Sequence, residues 1–240
     1  MERTNLRSRS KEAGFTLVEL AIVMIIIGLL ITGVLKGQEM IANAQVSSTI
    51  TQIKSIDAAT STFRDIYNAF PGDMANASTR LRNCAGGNCD DGDGDGRLDV
   101  AVGAAVAAAN EGTFFFTHMA AADLLSGIDA QNLTFGSSYP SAPVGGGFTA
   151  GHSLVGVNGF TAAEMRPAHY LVLTGQTAVV ADGTGILSVS QAARIDRKLD
   201  DGLIDSGSVI GETAANCRDG SEYAEINQDQ LCNIAIRIQG

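Results

Sequence analysis

Residues 15–35 read FTLVELAIVMIIIGLLITGVL, the longest apolar stretch in the chain. Glu19 is the only charged residue in these 21 positions. As an α-helix they would be about 31 Å long, which is enough to cross the hydrocarbon core of a membrane. The stretch therefore predicts one membrane-spanning helix, and no second segment of this kind occurs in the sequence.

The charge of the chain divides at the start of this stretch. Residues 1–14 hold four basic and two acidic side chains, a formal charge of +2. Taking these from the totals of 16 basic and 26 acidic residues leaves 12 and 24, so the remainder carries −12. Because basic flanks stay in the cytoplasm, everything after Leu35 is predicted to be exported. With no basic stripe, the chain is not expected to bind nucleic acid.

An ordinary secretory signal peptide is one interpretation of this N-terminus, because Ala42-Asn43-Ala44 has the small-x-small form of a cleavage site. However, the apolar stretch is longer than the roughly 7–15 residues usual for such a signal. This interpretation also gives no purpose to Glu19, although a central acid costs about 2.5–3.5 kcal/mol on insertion into a membrane.

The string Gly14-Phe15-Thr16-Leu17-Val18-Glu19-Leu20, after a short basic leader, resembles the processing site of type IV pilins and type II secretion pseudopilins. The resemblance covers about the first 50 residues. It implies that prepilin peptidase cuts after Gly14 and N-methylates Phe15. It also implies that Glu19 is needed for assembly, since its carboxylate can neutralise the terminal amine of another subunit in an apolar filament core.

The helix is predicted to continue beyond the membrane to about Phe70, because apolar residues recur there at helical spacing between charged ones. Pro71-Gly72 ends it, which gives 56 residues and a length of about 84 Å. Where many pilus subunits have a helix-breaking proline, this chain has Lys36.

Residues 71–240 are predicted to form an α+β head. Helical patterns occur at residues 113–126 and 191–199. The Gly- and Ser-rich residues 136–160 are expected to be loops, and an Ala-rich run at residues 101–109 could form a short helix. Strand-like alternation predicts a small antiparallel sheet that contains a meander, from residues 169–174, 177–181, 186–190 and 233–238.

Four cysteines lie on the side that is predicted to be exported, where disulfides can form: Cys84, Cys89, Cys217 and Cys232. Three pairings are possible, and proximity in sequence favours Cys84 with Cys89 and Cys217 with Cys232. The second pair would enclose a C-terminal loop like the disulfide-bounded loop of many pilins. A zinc site is the alternative, but neither pair has C-x-x-C spacing and no histidine lies near either.

Residues 90–99 read DDGDGDGRLD and carry five carboxylates on a glycine-rich backbone. This segment matches part of an EF-hand calcium loop. Positions one, three, five, seven and nine of such a loop correspond to Asp91, Asp93, Asp95, the Arg97 carbonyl and Asp99. Val102 stands in place of the bidentate glutamate at position twelve, and no helix is predicted before the loop. The sequence therefore predicts a calcium site that a distant acid completes, with Glu111, Asp200 and Asp201 as candidates. A solvated acidic turn is the alternative.

No catalytic arrangement is predicted. Ser153 lies in Gly151-His152-Ser153-Leu154-Val155, but a nucleophile elbow requires glycine where Val155 stands. Neither HExxH nor a phosphate-binding loop occurs. The three histidines, His118, His152 and His169, are scattered, and His118 is expected to be a packing residue. An enzyme, such as a periplasmic hydrolase, is therefore not expected.

These patterns and the resemblance predict a pilin-like, lollipop-shaped subunit with four parts. They are a cleaved leader (1–14), a transmembrane and assembly helix (15–35), an amphipathic helix (36–70) and a head (71–240) with the acidic loop 90–99. Residues 67–74 and 195–202 also look like segments of some larger bacterial pilin-like proteins. Calcium and the disulfides are expected to stiffen the head.

The resemblance also implies partners and a location. The partners are prepilin peptidase, an inner-membrane assembly platform, and other subunits of a type IV pilus or a type II secretion pseudopilus. Before assembly the chain would cross the inner membrane once, with the head in the periplasm. The alternative is a secreted calcium-dependent binding protein or adhesin with an ordinary signal peptide.

Overall fold

The structure is a computed structural model that describes residues 14–82, 84, 87–227 and 231–238. Apart from Gly14, the predicted leader lies outside these residues. The chain divides into two compact units, one that ends at Asn43 and one that begins at Ala44.

One long helix, α1, runs from Leu17 to Tyr67 and contributes to both units. It confirms the long N-terminal helix that the sequence predicts, although it ends three residues earlier than Phe70. Asn68 has a positive φ of 55°, a left-handed conformation that commonly follows the last turn of a helix. Pro71 then prevents a further helical turn.

The first half of α1 is apolar on all sides. Every described side chain from Gly14 to Lys36 is exposed, and the most apolar window of 18 residues has a mean hydropathy of 2.7. In water such a surface would be unfavourable, at roughly 25 cal/mol per Å² of exposed apolar area. By length and composition, this half of the helix can cross a membrane.

The second half of α1 is amphipathic and belongs to the core of the head. Its buried positions recur every three or four residues, so they share one face of the helix. They are Val46, Thr49, Ile50, Ile53, Ile56, Ala59, Thr60 and Phe63. This arrangement makes α1 part of the head rather than only an anchor.

The head contains three shorter helices and nine strands in the described residues. The helices are α2 (Ala77–Arg80), α3 (Glu111–Ala121) and α4 (Val189–Leu199). The longer strands are β2 (Gly147–Val157), β3 (His169–Thr174), β5 (Val209–Gly211) and β9 (Ile234–Arg237). The two-residue strands are β1 (Ala101–Val102), β4 (Leu187–Ser188), β6 (Arg218–Asp219), β7 (Glu222–Tyr223) and β8 (Leu231–Cys232).

Five strands form the main sheet, in the order β1-β2-β3-β9-β5, and two small pairs, β4-β8 and β6-β7, lie outside it. All neighbours are antiparallel except β1, which runs parallel to β2. Alternate side chains of β3 enter two different apolar clusters: Leu171 and Leu173 pack with the helices, and Tyr170 and Val172 pack on the other face. The α+β fold class is therefore confirmed.

Two expectations about strands were wrong. The predicted meander does not form, because residues 177–181 are not a strand and β3 pairs with β2 and β9 instead. The longest strand, β2, lies within the glycine-rich segment that was expected to be loops. Its glycines permit close approach: a Cβ at Gly147 would lie 2.2 Å from the Phe135 ring, and one at Gly151 would lie 2.5 Å from the Ala101 carbonyl oxygen.

Two further segments differ from what was expected. Residues 186–190 were expected to be a strand, but only Leu187 and Ser188 form one, β4, and Ser188 also caps α4, whose first residue is Val189. Ser188 Oγ accepts a hydrogen bond from Gln191 N–H, and the Gln191 side chain accepts one from Ser188 N–H, which is a capping box. The Ala-rich run at 101–109 forms β1 and turns rather than a helix.

Both disulfides favoured by sequence proximity are present. Cys84 is bonded to Cys89 and Cys217 to Cys232, with Cα–Cα distances of 4.9 and 5.9 Å. None of the four thiols is free to bind zinc in this state. The second disulfide closes a loop that contains β6 and β7.

Candidate functional site

The start of α1 is held by a capping box between Thr16 and Glu19. Glu19 Oε2 accepts hydrogen bonds from the backbone N–H and the Oγ1 hydroxyl of Thr16, both at 2.9 Å. In return, Glu19 N–H donates to Thr16 Oγ1 at 3.2 Å. These bonds satisfy N–H groups that would otherwise have no partner at a helix start, and the negative charge is favourable at this end of the helix.

Glu19 therefore has a local structural role in addition to the one implied by the resemblance. The sequence signal for this role is the T-x-x-E spacing of Thr16 and Glu19 before an apolar run. Within the described residues, both hydrogen bonds from Thr16 reach Oε2, and Oε1 accepts none. One carboxylate oxygen thus remains available to a second positive group.

The peptide bond between Gly14 and Phe15 lies outside the helix. Phe15 is 78% exposed, and residues 14–16 precede the first helical residue, Leu17. Nothing lies within 4 Å of a Cβ built at Gly14. This bond is open to an enzyme that approaches it in an extended conformation.

In the head, the acidic loop 90–99 is wrapped around a buried carboxylate that precedes it in the chain. Asp73 is only 3% exposed. Its Oδ1 accepts hydrogen bonds from the N–H groups of Gly94 and Asp95 at 2.8 and 3.0 Å, and its Oδ2 accepts one from Gly96 at 2.9 Å. Consecutive N–H groups that point at one anion form a nest, and here the anion is part of the protein.

A second carboxylate, Glu111 in the first turn of α3, binds the same loop. Its Oε1 accepts from Asp93 N–H at 3.1 Å and its Oε2 from Asp99 N–H at 2.6 Å. Glu111 is 9% exposed. It is therefore the one distant acid, of the three considered, that the structure brings to the loop.

The side chain of Asp93 completes a cluster with Asp73 and Glu111, in which one carboxylate oxygen of each residue lies within 4.8 Å of the others. Burial raises the pKa of Asp73 to about 6, and Asp93 adds to the rise, whereas the N–H groups of Gly96 and Gly94 oppose it. Burial also raises the pKa of Glu111. A proton or a cation between these groups would relieve their repulsion.

The other predicted calcium ligands lie elsewhere on the loop. Asp91 Oδ1 accepts a hydrogen bond from Ser78 N–H at 2.8 Å. Arg97 forms ion pairs with Asp95 at 2.8 Å and with Asp99 at 3.5 Å. Among the described residues, Asp93 is the only one of these aspartates that lies in a group of three close acids. The EF-hand-like ligand set stays a prediction. The structure instead brings together the carboxylates of Asp73, Asp93 and Glu111.

Asp200 and Asp201 belong to a separate group of acids. Their carboxylates lie with that of Asp196, at the end of α4. Asp201 accepts hydrogen bonds from Leu203 N–H at 2.9 Å and from the Ser206 hydroxyl at 2.7 Å. These bonds hold a turn and do not involve the acidic loop.

Two imidazoles, the buried His118 and the partly buried His169, bind the two ends of the acidic loop. His118 Nδ1 accepts from Gly72 N–H at 3.0 Å, so that its Nε2 carries the proton and donates to the Asp90 carbonyl at 2.8 Å. Burial lowers the pKa of His118 to about 4. His169 Nε2 accepts from Leu98 N–H at 3.2 Å. His118 is thus a hydrogen-bonding residue as well as the packing residue that was expected.

Ser153 is not arranged as a nucleophile. Its hydroxyl donates to the Arg166 carbonyl at 2.8 Å and accepts from Ala168 N–H at 3.1 Å. The ring of the adjacent His152 accepts from Leu154 N–H through Nδ1 at 3.2 Å. These contacts join β2 to the segment before β3 and place no base on the hydroxyl.

Comparison with known proteins identifies the N-terminal region. Neither the curated proteins nor the solved structures gave a match to the chain. A family model did, since residues 9–35 match the prokaryotic N-terminal methylation motif. This range covers the Gly14–Phe15 bond, the capping box and the apolar half of α1. Residues 9–35 thus carry the signature of type IV pilins and pseudopilins, a family of structural proteins.

Proposed function

We propose that the chain is a structural subunit of a type IV pilus or a type II secretion pseudopilus. The observation that carries this proposal is the methylation motif at residues 9–35, which includes the exposed apolar half of α1. An apolar helix of this length is stable only where lipid or other apolar helices cover it. A membrane before assembly and a filament core after it supply these two environments.

The proposed sequence of events follows from the charges. The basic leader keeps the N-terminus in the cytoplasm while the head crosses to the periplasm. Prepilin peptidase then cuts after Gly14 and methylates Phe15. In the filament, Glu19 of one subunit lies near the Phe15 amine of another, because an unpaired charge in an apolar core is costly. The head, with Ser153 held by backbone groups, is proposed to have no enzymatic role.

A secreted binding protein with an ordinary signal peptide is the competing function. Its cleavage site, residues 42–44, lies inside α1 rather than in an extended segment. Cleavage there would leave a chain that begins one residue before Val46, the first buried residue of the helix. The geometry therefore favours processing at Gly14.

The N-terminus of the mature protein tests the proposal. Intact mass and N-terminal sequencing of protein from cells with prepilin peptidase should give N-methyl-Phe15 and a chain of 226 of the 240 residues. Gly14→Val should retain the leader because the added side chain fills the cleavage position. Gly28→Ala should be processed normally, since a Cβ at Gly28 also has nothing within 4 Å. A mature chain that starts at Gln45 would refute the proposal.

We also propose that the head binds calcium through Asp73, Asp93 and Glu111. A carboxylate can accept about four hydrogen bonds or ligands, and the described N–H donors use only part of this capacity on each residue. Hard oxygen ligands with a net negative charge suit Ca²⁺ better than softer metals. Calcium at this position would link the turn at residues 70–73, the acidic loop and α3.

Thermal unfolding of the full chain in detergent, with and without Ca²⁺, measures this binding. Calcium that binds only the folded state should stabilise it by about 2.7 kcal/mol at 100 times the dissociation constant. Asp93→Ala should abolish the shift because it removes the exposed ligand, whereas Asp91→Ala should retain it because that carboxylate binds Ser78 instead. A wild-type protein that shows no calcium shift, or an Asp93→Ala variant that keeps one, would contradict the proposal.

A further inference from the structure

The hairpin of β6 and β7, residues 217–224, is joined to α4 by one buried hydrogen bond. The Tyr223 hydroxyl donates to Asp196 Oδ2 at 2.9 Å. Tyr223 is 6% exposed and Asp196 is fully buried. Both partners of this hydrogen bond are therefore shielded from water while the hairpin is in place.

Among the described residues, none forms an ion pair with Asp196 within 4.0 Å, although Arg197 lies close enough to interact with it electrostatically. The other oxygen of Asp196, Oδ1, accepts from Gly202 N–H at 3.2 Å. The neighbouring Arg197 pairs with Glu225, and the closest further charges, Asp200 and Asp201, are also negative. Burial, together with Asp201 and Asp200, favours the neutral form of Asp196 and outweighs the hydrogen bonds from the Tyr223 hydroxyl and Gly202 N–H, which favour the ionised form.

The hairpin is also held by an ion-pair network, a disulfide and a contact with a buried acid. Arg218 pairs with Glu164 at 2.8 Å and with Asp205 at 3.0 Å. Cys217 is bonded to Cys232. Cys217 Sγ also lies 3.7 Å from Oε1 of Glu212, a second carboxyl group whose pKa is raised by burial, so that an Asp196 variant is needed to assign a pH response of the hairpin to Asp196.

We propose that Asp196 and Tyr223 form a pH-responsive latch, which holds the β6–β7 hairpin closed in mild acid and lets it open more often as the pH rises. When the hairpin opens, water solvates the Asp196 carboxylate. Ionisation therefore favours the open form over the closed one. The latch is a property of the head and does not depend on the proposed assembly of the chain.

The size of the effect follows from linkage. Burial, together with Asp200 and Asp201, raises the pKa of Asp196 to about 7 from the ordinary 3.8. The closed form therefore binds the proton more tightly than the open form. Across pH 6 to 9, the open population should rise about tenfold. Most of the rise should occur below pH 8, because above that pH the carboxyl is ionised in both forms.

Trypsin cleavage after Arg218 reports the opening, because a half-buried residue in a hairpin is cut only when the backbone leaves the fold. The full chain in detergent is digested briefly at pH 6 to 9, reduced, and analysed by mass spectrometry for the Arg218–Asp219 cut. Each rate is divided by that of a peptide of residues 214–222 at the same pH. The normalised rate of the wild type should rise about tenfold and then level off.

Three variants separate the latch from other causes. Asp196→Asn removes the charge and should give a normalised rate that does not change with pH. Asp219→Asn, an exposed acid in the same hairpin, should keep the wild-type profile. Tyr223→Phe should raise the rate already at pH 6. A flat wild-type profile would overturn the proposal even if a variant failed to fold, and so would an Asp196→Asn profile that rises like the wild type.

Discussion

Glu19→Val is expected, for a type IV pilus, to lower the amount of the chain in sheared surface filaments at least tenfold, in cells where it replaces the wild-type gene. The variant removes both the carboxylate that caps α1 and the charge that would pair with the Phe15 amine of another subunit. An unpaired ammonium in an apolar core costs several kcal/mol. A free-energy cost of this size at each contact between neighbouring subunits should prevent assembly. Immunoblots of the sheared and membrane fractions measure the distribution.

Glu19→Gln separates the two roles of this residue. Glutamine can still form a capping box with Thr16, but it carries no charge. If the intersubunit pair matters, the glutamine variant should remain in the membrane fraction like the valine variant. Glutamine variants that assemble at the wild-type level would show that helix capping is the only role. Mass spectrometry of the N-terminus controls for leader removal in both variants.

Asp73→Ala is expected to lower the free energy of unfolding by about 2–3 kcal/mol at pH 7 in a calcium chelator. The substitution leaves the N–H groups of Gly94 and Gly96 without their acceptor, while Asp95 N–H keeps Asp93 Oδ1, and a buried unsatisfied group costs about 1–3 kcal/mol. Water that reaches the loop can replace part of the lost hydrogen bonding, and the substitution also removes the cost of burying the Asp73 charge. Both effects make the net loss of stability smaller than the sum of the costs of the unsatisfied groups. Chemical denaturation of the full chain in detergent measures the loss.

The pH dependence and the control variants make this prediction specific. Because the pKa of Asp73 is raised in the folded state, its contribution to stability is complete below the ordinary pKa and falls as the pH rises through about 6. The loss in Asp73→Ala should therefore be larger at pH 5 than at pH 8. Asp73→Asn keeps one acceptor oxygen and should lose less. Asp99→Ala, an exposed carboxylate, should change stability by less than about 0.5 kcal/mol, and an equal loss in this control would contradict the interpretation.

The helix and the disulfides were predictable because their signals are local. Residues 15–35 are apolar at every position but one, and a helix is the only structure that satisfies a single such segment in lipid. The disulfides join cysteines that are close in sequence, 5 and 15 residues apart. In both cases, a short stretch of sequence contains all the groups that interact.

The acidic site was predictable only in part because its centre comes from outside the loop. The spacing of Asp91, Asp93 and Asp95 suggested that the loop folds around an ion. In the structure its N–H groups converge on Asp73 and Glu111, which precede and follow the loop in the chain. A motif match considers only the side chains within the loop. The conformation of this loop also depends on hydrogen bonds from its backbone to carboxylates outside it.

Glycine content misled the prediction of β2 for a related reason. Glycine is common in loops, but in β2 it leaves room for another segment against the strand. The Ala101 backbone and the Phe135 ring occupy that room at Gly151 and Gly147. The partner segments lie far away in sequence, so composition alone cannot distinguish the two uses.

The capping box has a consequence for the electrostatics of processing. Removal of the leader would create an ammonium group on Phe15, next to the positive pole of α1, where a cation is unfavourable. Thr16 and Glu19 both lie on the retained side of the Gly14–Phe15 bond, so the helix start stays intact after the cut. Glu19 would then offset the new charge within its own chain before any neighbour arrives. A newly processed subunit could therefore wait in the membrane with its N-terminal charge already balanced.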